Sequence, residues 1–195
     1  MAGIGLSWPY VAKYEADNNG DVTYSEGQVL AKLVDMSTSI EAGGDNSLYA
    51  DNGVAEVDNT FGGGELSITT DDLIQAASAL ILGITPSTVT VGSTEVTELV
   101  YNDTMIPPYL GFGCVVKKQK DGAMKWRAIV FSKIKFNVFD ESATTQGETI
   151  EWQTPTIDAI IMRDDSEEHQ WKREATFATE GEARAYIKAI LGVSA

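Results

Sequence analysis

The chain has 195 residues, 43% hydrophobic and 22% charged, with one cysteine, one histidine and a net charge of −15. The apolar content suffices for a core. The charge excludes a protein that grips nucleic acid, since Lys and Arg neutralising phosphate supply most of such affinity, but not one that lets nucleic acid pass, because an acidic wall repels phosphate. A lone Cys114 forms neither an internal disulfide nor a thiolate metal cluster, which fits a reducing compartment. The opening MAGIGLSWPY lacks the basic-then-apolar pattern of a signal peptide. No apolar run approaches the roughly 20 residues that span a bilayer.

In chain order, residues 8–14 read as a strand, with Pro9 suited to its start or an edge. Asn18-Asn19-Gly20-Asp21 is a turn, and residues 22–24 return as a short strand. Glu15, Asp17, Asn19, Gly20 and Glu26 also fall at positions 1, 3, 5, 6 and 12 of a calcium loop. Such a loop needs a helix on each side, and WPYVAKY is a poor helix, so a hairpin is the expectation and no metal site is assigned. Residues 25–33 fit either an early strand or a helical turn.

Residues 32–70 organise the chain. Three runs alternate with the period of half-buried strands. Val34, Met36 and Ile40 oppose Asp35, Ser37, Ser39 and Glu41. Ala55, Val57 and Phe61 oppose Glu56, Asp58 and Thr60. Leu66, Ile68 and Thr70 oppose Glu65, Ser67 and Thr69. The polar set holds only carboxylates and small hydroxyls, so the expectation is a sheet with an apolar back and a smooth acidic front. A projecting loop, residues 41–53, carries Leu48 and Tyr49, apolar side chains that need a place to bury. Gly62-Gly63-Gly64 reads as a hairpin turn.

A helix follows over 73–82. Asp72 and Gln75 have capping-box spacing, and Gly83 suits its end. Residues 85–103 are polar and β-branched, with a turn at Gly92-Ser93. Residues 109–118 and 124–139 form a long hairpin about Asp121-Gly122. In its second strand Met124, Trp126, Ala128, Val130, Ile134, Phe136 and Val138 take one face, and Lys125, Arg127, Lys133 and Lys135 the other. Residues 150–154, 156–162 and 171–177 are further strands, and 164–168 an acidic turn. Thr179 and Glu182 form a second capping box before a helix whose stripe is Ala183, Tyr186, Ile187, Ile190 and Leu191. The expectation is a mainly β (α+β) chain with two helices, one domain over residues 1–195.

Charge is unevenly placed. Residues 34–116 hold twelve carboxylates and no Lys or Arg, whereas residues 117–135 hold seven cations and one acid. Either these are solvated faces of different strands, or an acidic face of one copy meets a basic hairpin of another.

No catalytic set emerges. His169 lies in the charged stretch DDSEEHQW, far from any nucleophile pattern, and Cys114 reads as a buried inert thiol. Gly62–Gly64 and Gly111-Phe112-Gly113 lack the Lys-Ser/Thr or third glycine of a phosphate loop. Trp126 alternates away from Lys125 and Arg127, so no basic aromatic surface forms. The expectation is a non-enzyme without cofactors.

The segments IGLSWPYVAKYEADNNGDVTYSEGQVLAKLVDMSTSIE and DNSLYADNGVAEVDNTFGGGELSITTDDL resemble the major tail (tail tube) proteins of long, non-contractile-tailed bacteriophages, of the type found in phages of Gram-positive hosts. Leu48-Tyr49-Ala50-Asp51-Asn52 and Asp71-Asp72-Leu73 carry the resemblance most strongly. It implies a β-sandwich flanked by a helix, six copies closing into a ring whose inner sheets join as a barrel, and rings stacking into a tube for the genome. The tube component of bacterial type VI secretion systems is similar in architecture. It also implies tail-tip, tape-measure and tail-terminator proteins as partners, synthesis in the host bacterial cytoplasm, and residence in the virion tail. On this reading Asp35, Ser37, Ser39, Glu41, Glu56, Asp58, Thr60, Glu65, Ser67 and Thr69 face the lumen. Leu48, Tyr49, Asp51, Lys117, Lys125, Arg127, Lys133 and Lys135 are expected at subunit contacts. The competing expectation is an acidic β-sandwich that binds a glycan or host surface, which exposed aromatic clusters would favour.

Overall fold

The computed structural model describes residues 2–43 and 46–194. Strand β1 (Ala2–Ala16) turns into β2 (Val22–Val29). β3 (Leu33–Ala42) leads through β4 (Asn46–Ala50) and β5 (Gly53–Asp58) to β6 (Phe61–Thr70). Helix α1 (Gln75–Leu82), the small hairpin β7 (Ser87–Val91) and β8 (Thr94–Glu98), and the long hairpin β9 (Leu110–Lys120) and β10 (Ala123–Phe136) follow. β11 (Thr156–Met162), β12 (Lys172–Phe177) and α2 (Glu180–Ile190) complete the chain. One large sheet has the order β2-β1-β9-β10-β11-β6-β3, with β12 also on β10.

The large sheet curls over itself into a β-sandwich with flanking helices. Its far end returns over its middle, so that Cys114 Sγ on β9 lies 3.5 Å from Met36 Sδ on β3. Between the leaves Val11, Leu110, Phe112 and Phe131 meet Leu66, Ile68, Ile157 and Ile161, and Ala77, Ile81 and Leu82 of α1 close this core. A second core lies on the outer face, where Tyr10, Ala12, Val115, Ala128 and Val130 meet Ala183, Ile187 and Leu191 of α2. Burying that stripe is what makes α2 worth forming in a chain otherwise committed to strands.

Strand β10 feeds both cores, Ile129 and Phe131 inward and Ala128 and Val130 outward, and then changes face. Phe131 pairs Phe112 and Ile134 pairs Leu110, so three steps on β10 match two on β9. The extra residue is a β-bulge, and it inverts the side-chain alternation. Before it, Ala128 and Val130 face α2; after it, Ile134 and Phe136 face the inner core. The expected single apolar face of this strand is therefore wrong, and Lys125 and Arg127 lie on the opposite side of the sheet from Lys133 and Lys135. A second irregularity on β1, between Ser7 and Tyr10, holds Trp8 at φ 55°. It sends Leu6 to the inner core and Tyr10 to the α2 side.

Other local expectations divide in the same way. The Thr179–Glu182 capping box forms at the start of α2, with Glu182 Oε2 accepting from Thr179 N at 3.0 Å and Thr179 Oγ1 accepting from Glu182 N at 3.3 Å. Gly83 ends α1 at φ 69°. The Asp72–Gln75 box does not form: α1 begins at Gln75 after Ile74, with no side-chain cap. The acids are spent earlier, Asp71 Oδ1 accepting from Lys32 N and Asp72 N, and Asp72 Oδ1 from Leu73 N. Residues 150–154 form no strand. Gly62, Gly63 and Gly64 lie inside β6, not in a turn. A Cβ on Gly62 would stand 2.5 Å from Gly43 Cα, and one on Gly64 would stand 2.7 Å from the Ser39 carbonyl. Glycine is needed there for close approach of two backbones.

Candidate functional site

Strands β3, β6 and β11 present one uncovered polar face. Asp35 stands opposite Thr69, Ser37 opposite Ser67 and Ser39 opposite Glu65, while Glu41 meets Gly63 at the end of β3. The face continues onto β11, where Thr156, Asp158 and Ile160 stand opposite Thr69, Ser67 and Glu65. Thr69 Oγ1 and Thr156 Oγ1 share a hydrogen bond of 2.9 Å. Helix α2 lies on this same side of the sheet but packs on β1, β9, β10 and β12, leaving the face open. Seven of the ten expected front residues thus share one surface.

Glu56, Asp58 and Thr60 do not join it. Strand β5 leaves the large sheet and pairs only with β4. The two strands form an arm closed at the tip by Asp51 and Asn52, both at positive φ (50° and 64°), the conformation of a tight hairpin turn. The arm joins the body where Gly43 N donates to the Thr60 carbonyl and Thr60 N to Asp58 Oδ1. Phe61 then enters the body and stacks on Trp171, ring centroids 4.5 Å apart. Leu48 pairs Glu56 and Asn46 pairs Asp58, while Ser47 pairs Val57 and Tyr49 pairs Val54. One arm face therefore carries Tyr49, Val54 and Val57, and the other Leu48, Glu56 and Asp58. Tyr49 is 69% exposed and Leu48 60%.

The basic residues separate by partner. Lys133 is 13% exposed, with Nζ 2.6 Å from Asp165 Oδ2 and over the rings of Tyr14 and Tyr109. Tyr14 Oη donates to the same carboxylate at 2.9 Å. The Lys133 hydrogen bond holds the Asp165 carboxyl below the usual range, and burial pushes the Tyr14 phenol up. Arg127 and Lys172 share Glu174, at 3.3 and 3.0 Å, and Lys172 first, then Arg127, keep its carboxyl low. Lys135 lies over Tyr109, 5.2 Å from the ring centroid, and borders the polar face opposite Ile160. Lys117 and Lys125 have no carboxylate within ion-pair distance among the described residues.

The remaining candidates are structural. Cys114 is fully buried, and burial pushes its thiol up to about 12. His169 occupies a turn at φ 51°, with Nδ1 3.4 Å from the Asp164 carbonyl. Residues 15–26 form the β1–β2 hairpin, where Glu15 pairs Thr23 and Asp17 Oδ1 accepts from Asn19 N and Asp21 N. Among the described residues no group of three His, Cys, Asp or Glu side chains is arranged to hold a metal, and no helix is long and apolar enough to cross a membrane.

Sequence reasoning found the β3–β6 face through alternation. It missed the contribution of β11 although Thr156 and Asp158 alternate with Ile157 and Ala159, because partners 87 residues apart (Thr69 and Thr156) leave no local signal. Compared with known proteins, the chain matches no protein-family model and no curated protein.

Proposed function

We propose that the chain is a structural subunit that assembles with copies of itself into stacked rings, forming the tail tube of a long-tailed bacteriophage and an acidic conduit for its genome. The observation that carries this reading is the open β3–β6–β11 face. A face this size with carboxylates and short hydroxyls, left uncovered beside a helix-covered one, suits a passage better than a grip. Like charge repels the DNA backbone, and short side chains give few binding minima along its path. Two further features support assembly. The sheet ends on β2 and β3, whose outer edges have no strand partner among the described residues, and closing such edges against a neighbour removes a standing liability. The arm carries an apolar face whose Tyr49, Val54 and Val57 are exposed.

Ring number, the tail-tip, tape-measure and terminator partners and residence in the virion follow from the resemblance, and we read the chain as a non-enzyme without cofactors. Glycan attachment would draw on the exposed rings of Trp152, Tyr49, Tyr101 and Tyr109, and among the described residues none of these makes a ring–ring contact that would build a sugar-binding platform. The test is reversal of the face, Asp35→Lys, Glu41→Lys and Glu65→Lys together. Tubes of unchanged shape should form, and DNA passage through them should slow or stop. Passage at the original rate would contradict the conduit.

A further inference from the structure

The β9–β10 hairpin contains an electrostatic conflict that the described residues leave unresolved. The ladder sets Lys125 directly opposite Lys118, with Lys120 opposite Ala123 nearer the turn. Lys118 and Lys125 project to the same face, and like charges directly opposite each other weaken strand pairing. Neither amine has a carboxylate within ion-pair distance among the described residues. Nearby cations do: Arg127 has Glu174 and Lys133 has Asp165. Glu182, which feels Lys125 at longer range, has its carboxylate bonded to Thr179 N and Thr179 Oγ1. In a chain of net charge −15, a doubled lysine without counter-charge is an anomaly in sign as well as in pairing.

The arm is its complement. Strands β4 and β5 and their turn carry Asp51, Glu56 and Asp58 and no Lys or Arg. Glu56 and Asp58 alternate onto one face, two residues and so about 7 Å apart along the strand. Directly opposed residues such as Lys118 and Lys125 have Cβ atoms about 5 Å apart, and four-carbon lysine stems span the difference. Among the described residues no ion pair joins the two elements.

We propose that Lys118 and Lys125 receive the Glu56–Asp58 face of the arm of a second copy. This rests on the self-assembly reading and adds which two elements meet. Tyr49, Val54 and Val57 lie on the other arm face and remain free to bury against a different surface of the assembly. Different patches meet on the two copies, so repeated head to tail the contact extends into a ring or a stack, as the self-assembly reading requires. It also makes association weaken with salt.

The test uses charge reversal on the full chain. Lys118→Glu with Lys125→Glu keeps a like-charge cross-strand pair, so the hairpin is no worse off than before. Glu56→Lys with Asp58→Lys changes only exposed arm positions. Far-ultraviolet circular dichroism confirms that each variant folds. In sedimentation and light scattering at low salt, each pair of reversals alone should raise the concentration needed for association roughly tenfold or more. All four reversals together should restore it. Either pair associating as the original chain does, or the combined variant failing to recover, overturns this contact and leaves self-assembly standing. An original chain that stays monomeric at every salt and concentration overturns both.

Discussion

The Lys133–Asp165 pair offers the sharpest test of the energetics, because the two partners differ in exposure. Lys133 is 13% exposed and Asp165 51%, with Nζ 2.6 Å from Oδ2. Asp165→Asn keeps an acceptor for Tyr14 Oη and removes the charge. A hydrogen bond to a charged group contributes about 1.5–3 kcal/mol when sheltered, and water at the half-open carboxylate screens part of that. The expected cost at pH 7 is therefore about 1.5 kcal/mol, at the low end of the range. The native carboxyl sits below its usual value, so its contribution is complete above the unfolded value near pH 4 and is lost as pH falls through the native value. Urea unfolding of both chains from pH 7 down to pH 3 should show a stability gap that is full at neutrality and closes in acid. A gap under about 0.5 kcal/mol at pH 7, the ordinary scatter of surface substitutions, would refute the reasoning. So would a gap that persists unchanged at pH 3.

Thr179→Ala removes the hydroxyl half of the α2 cap, the Oγ1 that accepts from Glu182 N, while the Thr179 N bond to Glu182 Oε2 remains; it should cost about 1 kcal/mol in urea unfolding. Gly111→Ala places a Cβ 2.5 Å from the Tyr24 ring and 2.7 Å from Leu191; overpacking of that kind should lower stability by about 1–3 kcal/mol, read as a fall in thermal midpoint. Tyr49→Ser, Val54→Ser and Val57→Ser together touch no core, so monomer stability should stay within about 0.5 kcal/mol. Association measured by light scattering should nevertheless fail, because the apolar arm face is lost.

What was legible in the sequence was local. Asp121-Gly122 turns the long hairpin with both residues at positive φ, 53° and 78°, the conformation that such pairs favour. Strand β11 covers the expected residues 156–162. The parity of β3 and β6 follows from alternation because a one-residue slip would turn every apolar side chain outward. What was hidden depends on distant partners. The bulge that inverts β10 shows no marker at Ser132 or Lys133; it is visible only in the register against β9, where Phe131 pairs Phe112 and Ile134 pairs Leu110. The arm deceived for another reason. Ala55 and Val57 alternate with Glu56 and Asp58 as any half-buried strand does, and alternation says neither whose core receives the apolar side nor that a register shift in the arm brings Val54 to the Val57 face. Likewise Asp72 and Gln75 have the spacing of a cap, but neighbouring Asp71 is held by the Lys32 amide across the sheet, and the helix starts later.

The central claim is self-assembly, and negative-stain microscopy of the purified chain beside light scattering across a salt series tests it most directly. Rings or hollow tubes whose formation weakens as salt rises are the result expected. A monodisperse monomer at every salt and concentration, with or without added tail tips to initiate growth, would contradict it.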